Sequence, residues 1–242
     1  IAGVEVSADG ITSADVVVEF TTPDVVMDNL REWRSCRFHA VVGTSGFDDA
    51  RLSAVRTQWG AGPPNCLVVP NFSIGAVLMM RFAEWAAPHF ESAEIVERHH
   101  HDKPDAPSGT ALATAARIAG ARRRGGPDRG REVVAGALGS DVEGIPVHSL
   151  RMHGSLAHQE VILGTVGQCL TLRHDTTDYA CFAPGILLAL RTMGSLEPGV
   201  TVGLEALLGP VCLHRGRIGP HLGAGRETEG QHLSTLHLAE QV

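Results

Sequence analysis

Short apolar segments alternate with helical segments in the first third of the chain. Three of them have the length and β-branched composition of buried strands, and they span 16–20, 39–44 and 66–70. The chain between them places apolar side chains near helical spacing, and a further apolar helix is predicted over 74–86. Strands that alternate with helices in this way predict a parallel sheet with helical crossovers.

The second half of the chain has a different pattern. Residues 92–100 alternate between apolar and polar positions, and a helix is predicted from Ser108 onward. Three strand-like segments then follow at close spacing, at 145–152, 157–164 and 168–176. Short connections between alternating segments predict an antiparallel or mixed sheet, and therefore an α+β unit.

These two patterns predict an α/β unit joined to an α+β unit. We expect the first unit to comprise residues 1–73 and 183–208, and the second to comprise residues 74–182. The last segment, 209–242, is rich in Gly, His and Arg without clear periodicity, which predicts a loosely ordered tail.

Composition and charge favour a globular protein without a nucleic-acid or membrane partner. The 242 residues are 43% hydrophobic and 19% charged, and the formal net charge of −7 gives no general attraction to nucleic acid. The basic run at 122–124 borders a Gly/Pro segment and is typical of a solvated helix end. No apolar run is long enough to cross a bilayer. Five cysteines without a C-x-x-C pair favour free thiols in a cytoplasmic protein.

The stretch with candidate chemistry is ERHHHDKPDAPSGTA, residues 97–111. It could hold a metal ion, donate a proton at an active site, or form a solvated loop. A metal site is disfavoured, because consecutive histidines in an extended backbone point to opposite faces and no H-E-x-x-H or C-x-x-C pair completes a ligand set. A plain loop does not account for the Ser-Gly-Thr that follows.

Residues 107–110 predict the start of a helix with free backbone N–H groups. These groups, the helix dipole and the Thr110 hydroxyl form a potential anion site, and Gly109 allows a ligand to approach the backbone. A lysine and histidines beside such a site favour carboxylate binding and delivery of a proton. The pattern therefore indicates a small acidic substrate that gains a proton during the reaction.

The same stretch resembles the signature E-x-H-H-x-x-K-x-D-A-P-S-G-T-A of the 4-hydroxy-tetrahydrodipicolinate (dihydrodipicolinate) reductase family. Other segments resemble the family in order and spacing: DVVVEFTTPDVVMDNL, HAVVGTSGF, VPNFSIGAVLMM, AHQEVILG and LTLRHDT. The resemblance covers about residues 15–208 and is greatest to actinobacterial-type members. It implies a Rossmann-like cofactor domain joined to an α+β domain that binds the substrate and forms a homotetramer.

The resemblance also implies roles for individual residues. His99 would be the general acid and Lys103 its cationic partner, while His100 and the backbone of Gly109 and Thr110 would hold a small cyclic dicarboxylate. Contacts to NADH or NADPH are implied at two strand ends, for Gly43, Thr44, Ser45, Val69, Pro70, Asn71 and Phe72. The implied reaction, in lysine biosynthesis, is hydride transfer from NADH or NADPH to the substrate with loss of its 4-hydroxyl as water.

Two features depart from the family pattern. The family opens with a strand, a G-x-x-G-x-x-G turn and a helix that receives the pyrophosphate, and residues 1–20 contain no counterpart, so we expect a truncated cofactor domain. Tyr179 stands where we expect the family to carry an arginine for a substrate carboxylate. A tyrosine lacks the bidentate charged fork of arginine, which predicts weaker substrate affinity. The alternative role for Tyr179 is that of a packed surface aromatic.

The sequence is also compatible with two other functions. A homologue without the glycine turn could keep the fold and bind no dinucleotide, although His99, His100 and Lys103 match the catalytic motif. A metal-dependent hydrolase could use the histidine cluster, and stoichiometric zinc in the purified protein would support that function.

Overall fold

The structure, a computed structural model, describes residues 15–122 and 130–209. Of the predicted tail at 209–242, only Gly209 is among the described residues. Residues 1–14, which make up most of the segment that was expected to contain no glycine turn, also lie outside them. The helices are α1 (Val26–Ser35), α2 (Asp49–Trp59), α3 (Ile74–Ala86), α4 (Gly109–Ala121) and α5 (Ala183–Thr192). No helix among the described residues is long and apolar enough to cross a membrane.

The first sheet is parallel, as the alternation of strands and helices predicted. Its strands are β1 (Val16–Glu19), β2 (His39–Val42), β3 (Cys66–Val68) and β9 (Val200–Val202), in the order β1-β2-β3-β9. Strand β9 pairs with β3 in parallel, which brings the chain back to this sheet after α5. The α/β fold with a Rossmann-like parallel sheet is therefore confirmed.

Both faces of the parallel sheet are buried. Ala40 and Val42 of β2 face a cluster formed with α1 and α2, in which Trp59 is 1% exposed. Val41 points to the opposite face and joins the larger core cluster of the molecule. Because successive strand residues point to opposite faces, the continuous apolar runs of the sequence supply both layers.

The second sheet is mixed. Its strands are β4 (Ser92–His99), β5 (Ser140–Val142), β6 (Ile145–Arg151), β7 (Ala157–Thr165) and β8 (Gln168–Thr176), in the order β5-β6-β4-β7-β8. Strands β7 and β8 form an antiparallel hairpin, whereas β4 pairs in parallel with β6 and antiparallel with β7. Strand β4 thus separates β6 from β7, which are neighbours in sequence, and the short β5 had not been predicted.

Helices α3 and α4 pack against one face of the mixed sheet. Ala93 and Ile95 of β4 alternate inward to meet them, and their core is continuous with Leu67 of the parallel sheet. Serine caps both helices, because the Ser73 and Ser108 side chains accept hydrogen bonds from backbone N–H groups of the first turn. Helix α3 begins six residues after the end of β3, and α4 begins ten residues after the end of β4.

Candidate active site

His99 is the last residue of β4 and lies on the inner face of the mixed sheet. Residues two apart on a strand share a face, so His99 follows Ile95 and Glu97 in the row that meets the helices. In the parallel pairing with β6, His99 lies opposite Arg151 and Glu97 opposite Ser149. The strand register therefore brings a histidine, a carboxylate and a guanidinium together.

Glu97 is a fully buried carboxylate with three hydrogen-bond donors. It accepts from Nδ1 of His99, from Arg151 at 3.0 Å, and from the Ser149 side chain. Burial opposes ionisation of Glu97, but the hydrogen bonds from His99, Arg151 and Ser149 outweigh it and lower its pKa to about 2. Glu97 is therefore an anion over the whole physiological pH range.

Arg151 contacts both the carboxylate and the loop of residues 100–108. Its Nη1 donates a hydrogen bond to one oxygen of Glu97 at 3.0 Å, and its Nη2 lies 3.0 Å from the other oxygen as an ion-pair contact. The same guanidinium donates to the backbone carbonyl of Asp105 in the loop. The end of β6 is thereby tied to the segment that follows His99.

The loop of residues 100–108 carries the other candidate substrate ligands. The Lys103 ammonium donates to the Asp105 carboxylate at 2.6 Å, and this hydrogen bond lowers the pKa of Asp105 below its ordinary value. His101 pairs with Asp102 at 2.8 Å and stacks on His153, with ring centroids 3.8 Å apart. Lys103 is 22% exposed, so it lies near the surface of the cleft.

Helix α4 begins at Gly109, as the motif predicted. The Ser108 hydroxyl accepts from the Ala111 N–H at 3.2 Å, which leaves the first backbone N–H groups of the helix facing out of its end. A Cβ atom placed on Gly109 would meet no atom within 4 Å. The space beside this helix N-terminus is therefore open to a ligand, and the helix dipole favours an anion there.

Asn71 connects the parallel sheet to this helix N-terminus. Its amide nitrogen lies 3.3 Å from the Thr110 hydroxyl, and its oxygen accepts from the Ser73 N–H at 2.8 Å. The Ser73 hydroxyl in turn lies 3.2 Å from Nε2 of His174 on β8. Burial lowers the pKa of His174, which favours its neutral form. The predicted cofactor side and the predicted substrate side thus meet through Asn71 and Thr110.

The remaining predicted cofactor residues lie at the carboxyl ends of β2 and β3. Gly43 follows β2, and its N–H donates to the Glu19 carbonyl at 2.8 Å. A Cβ atom at Gly43 would collide with the ring of Phe20. Thr44 is buried, whereas Ser45 is exposed. After β3, Val69 and Phe72 are buried, Pro70 is exposed and Asn71 is half-buried.

Four residues of this region had not been singled out from the sequence. They are Glu97, Arg151, His174 and Phe20, whose ring centroid lies 5.3 Å from that of Phe72. The alternating pattern of 92–100 could have placed Glu97 on the face of His99. Arg151 and His174 could not have been found in this way, because their positions depend on how distant strands pair.

The histidine cluster is not arranged as a metal cage. In the part of the chain that the structure describes, no three His, Cys, Asp or Glu side chains are placed to hold one ion. The His99 ring is hydrogen-bonded to Glu97, and His101 faces His153.

A cavity of about 290 Å³ lies beside the loop, lined by Ala106, Pro107, Gly136, Gly139, Ser140, Val147, His148 and Ser149. None of the predicted site residues lines this cavity.

Tyr179 begins a short 3₁₀ helix after β8 and is 58% exposed. Its ring centroid lies 6.4 Å from that of Phe182. The preceding Asp178 caps this turn by accepting from the Ala180 N–H at 2.6 Å. The tyrosine ring is therefore accessible to solvent rather than packed in the core.

Comparison with known proteins assigns both parts of the chain to one family. The profile described as "Dihydrodipicolinate reductase, N-terminus" matches residues 2–72, and that described as "Dihydrodipicolinate reductase, C-terminus" matches residues 75–208. A protein of Thermobifida fusca named 4-hydroxy-tetrahydrodipicolinate reductase is 55% identical over 200 residues, which cover 81% of each chain. A protein of the same name from Mycolicibacterium gilvum is 52% identical over 210 residues, which cover 86% of this chain and 85% of the relative.

A solved structure agrees with these relatives. It is the dipicolinate-bound dihydrodipicolinate reductase of Paenisporosarcina sp. TG-14, with a TM-score of 0.69 and 38% sequence identity. The match covers 79% of this chain and 73% of that chain. The family resemblance read from the motif ERHHHDKPDAPSGTA is confirmed.

Proposed function

The chain belongs to the dihydrodipicolinate reductase family, and we propose that it reduces 4-hydroxy-tetrahydrodipicolinate to tetrahydrodipicolinate in lysine biosynthesis. The observation that carries this proposal is the placement of His99. Its ring stands at the end of β4 with Nδ1 bound to the anionic Glu97, and Arg151 links that carboxylate to Asp105, which binds the lysine of the motif. A proton donor beside two anion-binding groups suits a dicarboxylate that gains a proton.

The substrate carboxylates have two binding elements in this proposal. One carboxylate meets the backbone N–H groups of Gly109 and the hydroxyl of Thr110, where the helix dipole stabilises negative charge. The other meets Lys103 and His100 of the loop. Because Asp105 holds Lys103 in the free protein, substrate binding must share or displace this ion pair. The dipicolinate bound to the Paenisporosarcina relative is a dicarboxylate of this kind.

The carboxyl edge of the parallel sheet fits a pyridine nucleotide. Gly43, Thr44 and Ser45 end one strand, and Val69, Pro70, Asn71 and Phe72 end the next, at the edge where parallel sheets bind dinucleotides. Gly43 has no side chain that would displace the Phe20 ring from this edge. NADH or NADPH bound there supplies the hydride. His99 supplies the proton and the 4-hydroxyl leaves as water, while Asn71 keeps the two halves of the site together.

We propose the domain division 1–73 with 183–208 for the cofactor domain and 74–182 for the substrate and oligomerisation domain. The division is supported by the return of β9 to the parallel sheet and by the mixed sheet of β4–β8. The outer face of that sheet carries the Glu94–His148 pair and Leu150, which is 42% exposed, while helices α3 and α4 pack on the opposite face. Because this face is left open in one chain, we propose that a second copy covers it in a homotetramer.

Three measurements test the proposed function. Purified protein is titrated with NADH and NADPH while nicotinamide fluorescence is followed, and saturable binding of either is expected. Reduction of 4-hydroxy-tetrahydrodipicolinate is then compared with that of His99→Gln, whose kcat we expect to fall by about 10²–10⁴. Light scattering gives the mass of the assembly. Absence of nucleotide binding at millimolar concentration would favour the non-catalytic homologue, and activity that survives in His99→Gln would exclude His99 as the acid.

A further inference from the structure

We infer that Glu97 and Arg151 form a positioning pair that fixes the ring and tautomer of His99 and couples it to the loop of residues 100–108. The inference rests on the proposed function, since it concerns how His99 delivers its proton. It adds two residues that act through His99 and do not touch the substrate. Glu97 lies two residues before His99, and Arg151 comes from a strand 54 residues away.

The burial of Glu97 makes its partners obligatory. Its side chain is fully shielded from solvent, and an isolated carboxylate is costly to bury without compensation. Arg151 supplies the opposite charge through two contacts of 3.0 Å, and its side chain is itself only 17% exposed. The pair is therefore balanced in charge before His99 is protonated.

The carboxylate selects one tautomer of His99. An ionised carboxylate only accepts hydrogen bonds, so Nδ1 of His99 carries a hydrogen when it bonds to Glu97. In the neutral ring this leaves Nε2 without a hydrogen and able to take up a proton. When doubly protonated His99 gives the Nε2 proton to the substrate, the ring returns to the Nδ1–H tautomer that Glu97 stabilises. The proton transfer then ends without rearrangement of the ring.

Arg151 extends this control to the substrate-binding loop. Its guanidinium also donates to the backbone carbonyl of Asp105, the residue whose carboxylate holds Lys103. One side chain thus contacts both the support of the proton donor and the segment that carries the substrate cation. The distance between His99 and the loop is fixed by Arg151 rather than by chain connectivity alone.

The test compares Glu97→Gln and Glu97→Asp with Glu94→Gln. Glu94 forms a carboxylate–histidine pair with His148 at 2.8 Å on the outer face of the same strand, so its variant is a matched control. Glutamine removes the charge. Aspartate keeps the charge near Arg151 but draws it back from His99 by one methylene, which keeps the test valid if the glutamine variant fails to fold. We expect both Glu97 variants to lower kcat by about 100-fold with KM within threefold.

A second readout does not depend on activity. Nitrogen-15 NMR of the imidazole side chains in the free protein reports the tautomer of His99, assigned by comparison with His99→Gln. The wild-type protein and Glu94→Gln should show a single Nδ1–H form, whereas Glu97→Gln and Glu97→Asp should show a mixture of tautomers. Thermal unfolding verifies that each variant is folded.

The outcomes separate this inference from the proposed function. Values of kcat within threefold of wild type, together with an unchanged His99 tautomer in a folded Glu97 variant, would overturn the positioning role. A fall in kcat of equal size in Glu94→Gln, with the assembly mass unchanged by light scattering, would overturn it as well. If the wild-type protein lacked reductase activity, the proposed function would fail, and the tautomer measurement would still decide whether Glu97 orders His99.

Discussion

Strand β4 supplies the carboxylates of two carboxylate–histidine pairs in two different environments, one within β4 and one reaching His148 on β6. On its inner face Glu97 holds His99, and the carboxylate is fully buried with Arg151 and Ser149 as further donors. On its outer face Glu94 holds His148 at 2.8 Å, and the two side chains are 38% and 32% exposed. Both pairs join a glutamate to a histidine. They differ in the number of hydrogen-bond partners of the carboxylate and in how far water reaches it.

The difference shows why only the inner pair can position a catalytic group. Water competes for the outer pair and screens its charges, so its geometry is weakly held. The inner pair is removed from water, and each missing partner would leave a buried charge uncompensated. Several charged partners in a site without water therefore hold the inner pair in place, and they make it sensitive to substitution.

Replacement of Arg151 should have the largest effect on stability. Arg151→Met keeps the length of the side chain but removes the cation that faces Glu97, so the carboxylate remains buried with only neutral donors or His99. We expect the free energy of unfolding to fall by about 3–5 kcal/mol. Urea unfolding of both proteins at one fixed protein concentration measures the change, because any self-association would add to the apparent stability. A loss below about 1 kcal/mol would mean that the pair is as weak as a surface ion pair.

Acid should weaken the inner pair at a defined pH. Glu97 has a folded-state pKa of about 2, below its ordinary value of 4.5. Its contribution to stability is therefore complete above about pH 4.5 and is lost as the pH falls toward 2. The shift corresponds to about 3 kcal/mol. Urea unfolding from pH 7 to pH 3 should show a steeper loss of stability in the wild type than in Glu97→Gln, and parallel curves would contradict the assignment.

The inner face could be predicted from the sequence only in part. The alternation in SAEIVERH places Glu97 and His99 on one face, and the Ser-Gly-Thr that follows predicts the start of α4, which begins at Gly109. Arg151 could not be predicted, because it reaches Glu97 through the parallel pairing of β4 with β6. That pairing inserts β4 between two strands that are neighbours in sequence. Local patterns specify faces and caps, whereas partners across strands depend on tertiary packing.

The start of α1 shows that the sequence can also fail to predict hydrogen-bond partners between neighbouring residues. Thr22-Pro23-Asp24 has the composition of a helix N-terminus, but α1 begins at Val26 without a side-chain cap. The Thr22 hydroxyl donates to the Asp24 carboxylate, so these two side chains satisfy each other and not the backbone N–H groups. Residues that favour caps also favour local side-chain hydrogen bonds, and the sequence alone does not decide between them.

Substitution of Tyr179 tests a charge placed in a solvated position. Tyr179 is 58% exposed, so an arginine there would meet a substrate carboxylate in the presence of water. We expect Tyr179→Arg to lower KM by at most about fivefold, or about 1 kcal/mol, with kcat unchanged. Steady-state kinetics with Tyr179→Phe as the control measures the effect of the hydroxyl separately. An unchanged KM in the arginine variant would assign Tyr179 to the surface alone.

Substitution of Glu94 should have the smallest effect. The Glu94–His148 pair is half-exposed in the single chain, and exposed ion pairs contribute about 0–1 kcal/mol. Glu94→Gln should therefore change the free energy of unfolding by less than about 1 kcal/mol. The measurement is made at two protein concentrations with the assembly mass monitored by light scattering. A loss above about 2 kcal/mol that grows with protein concentration would show that a second copy covers the outer face, because only burial in the assembly could make this pair resemble the inner one.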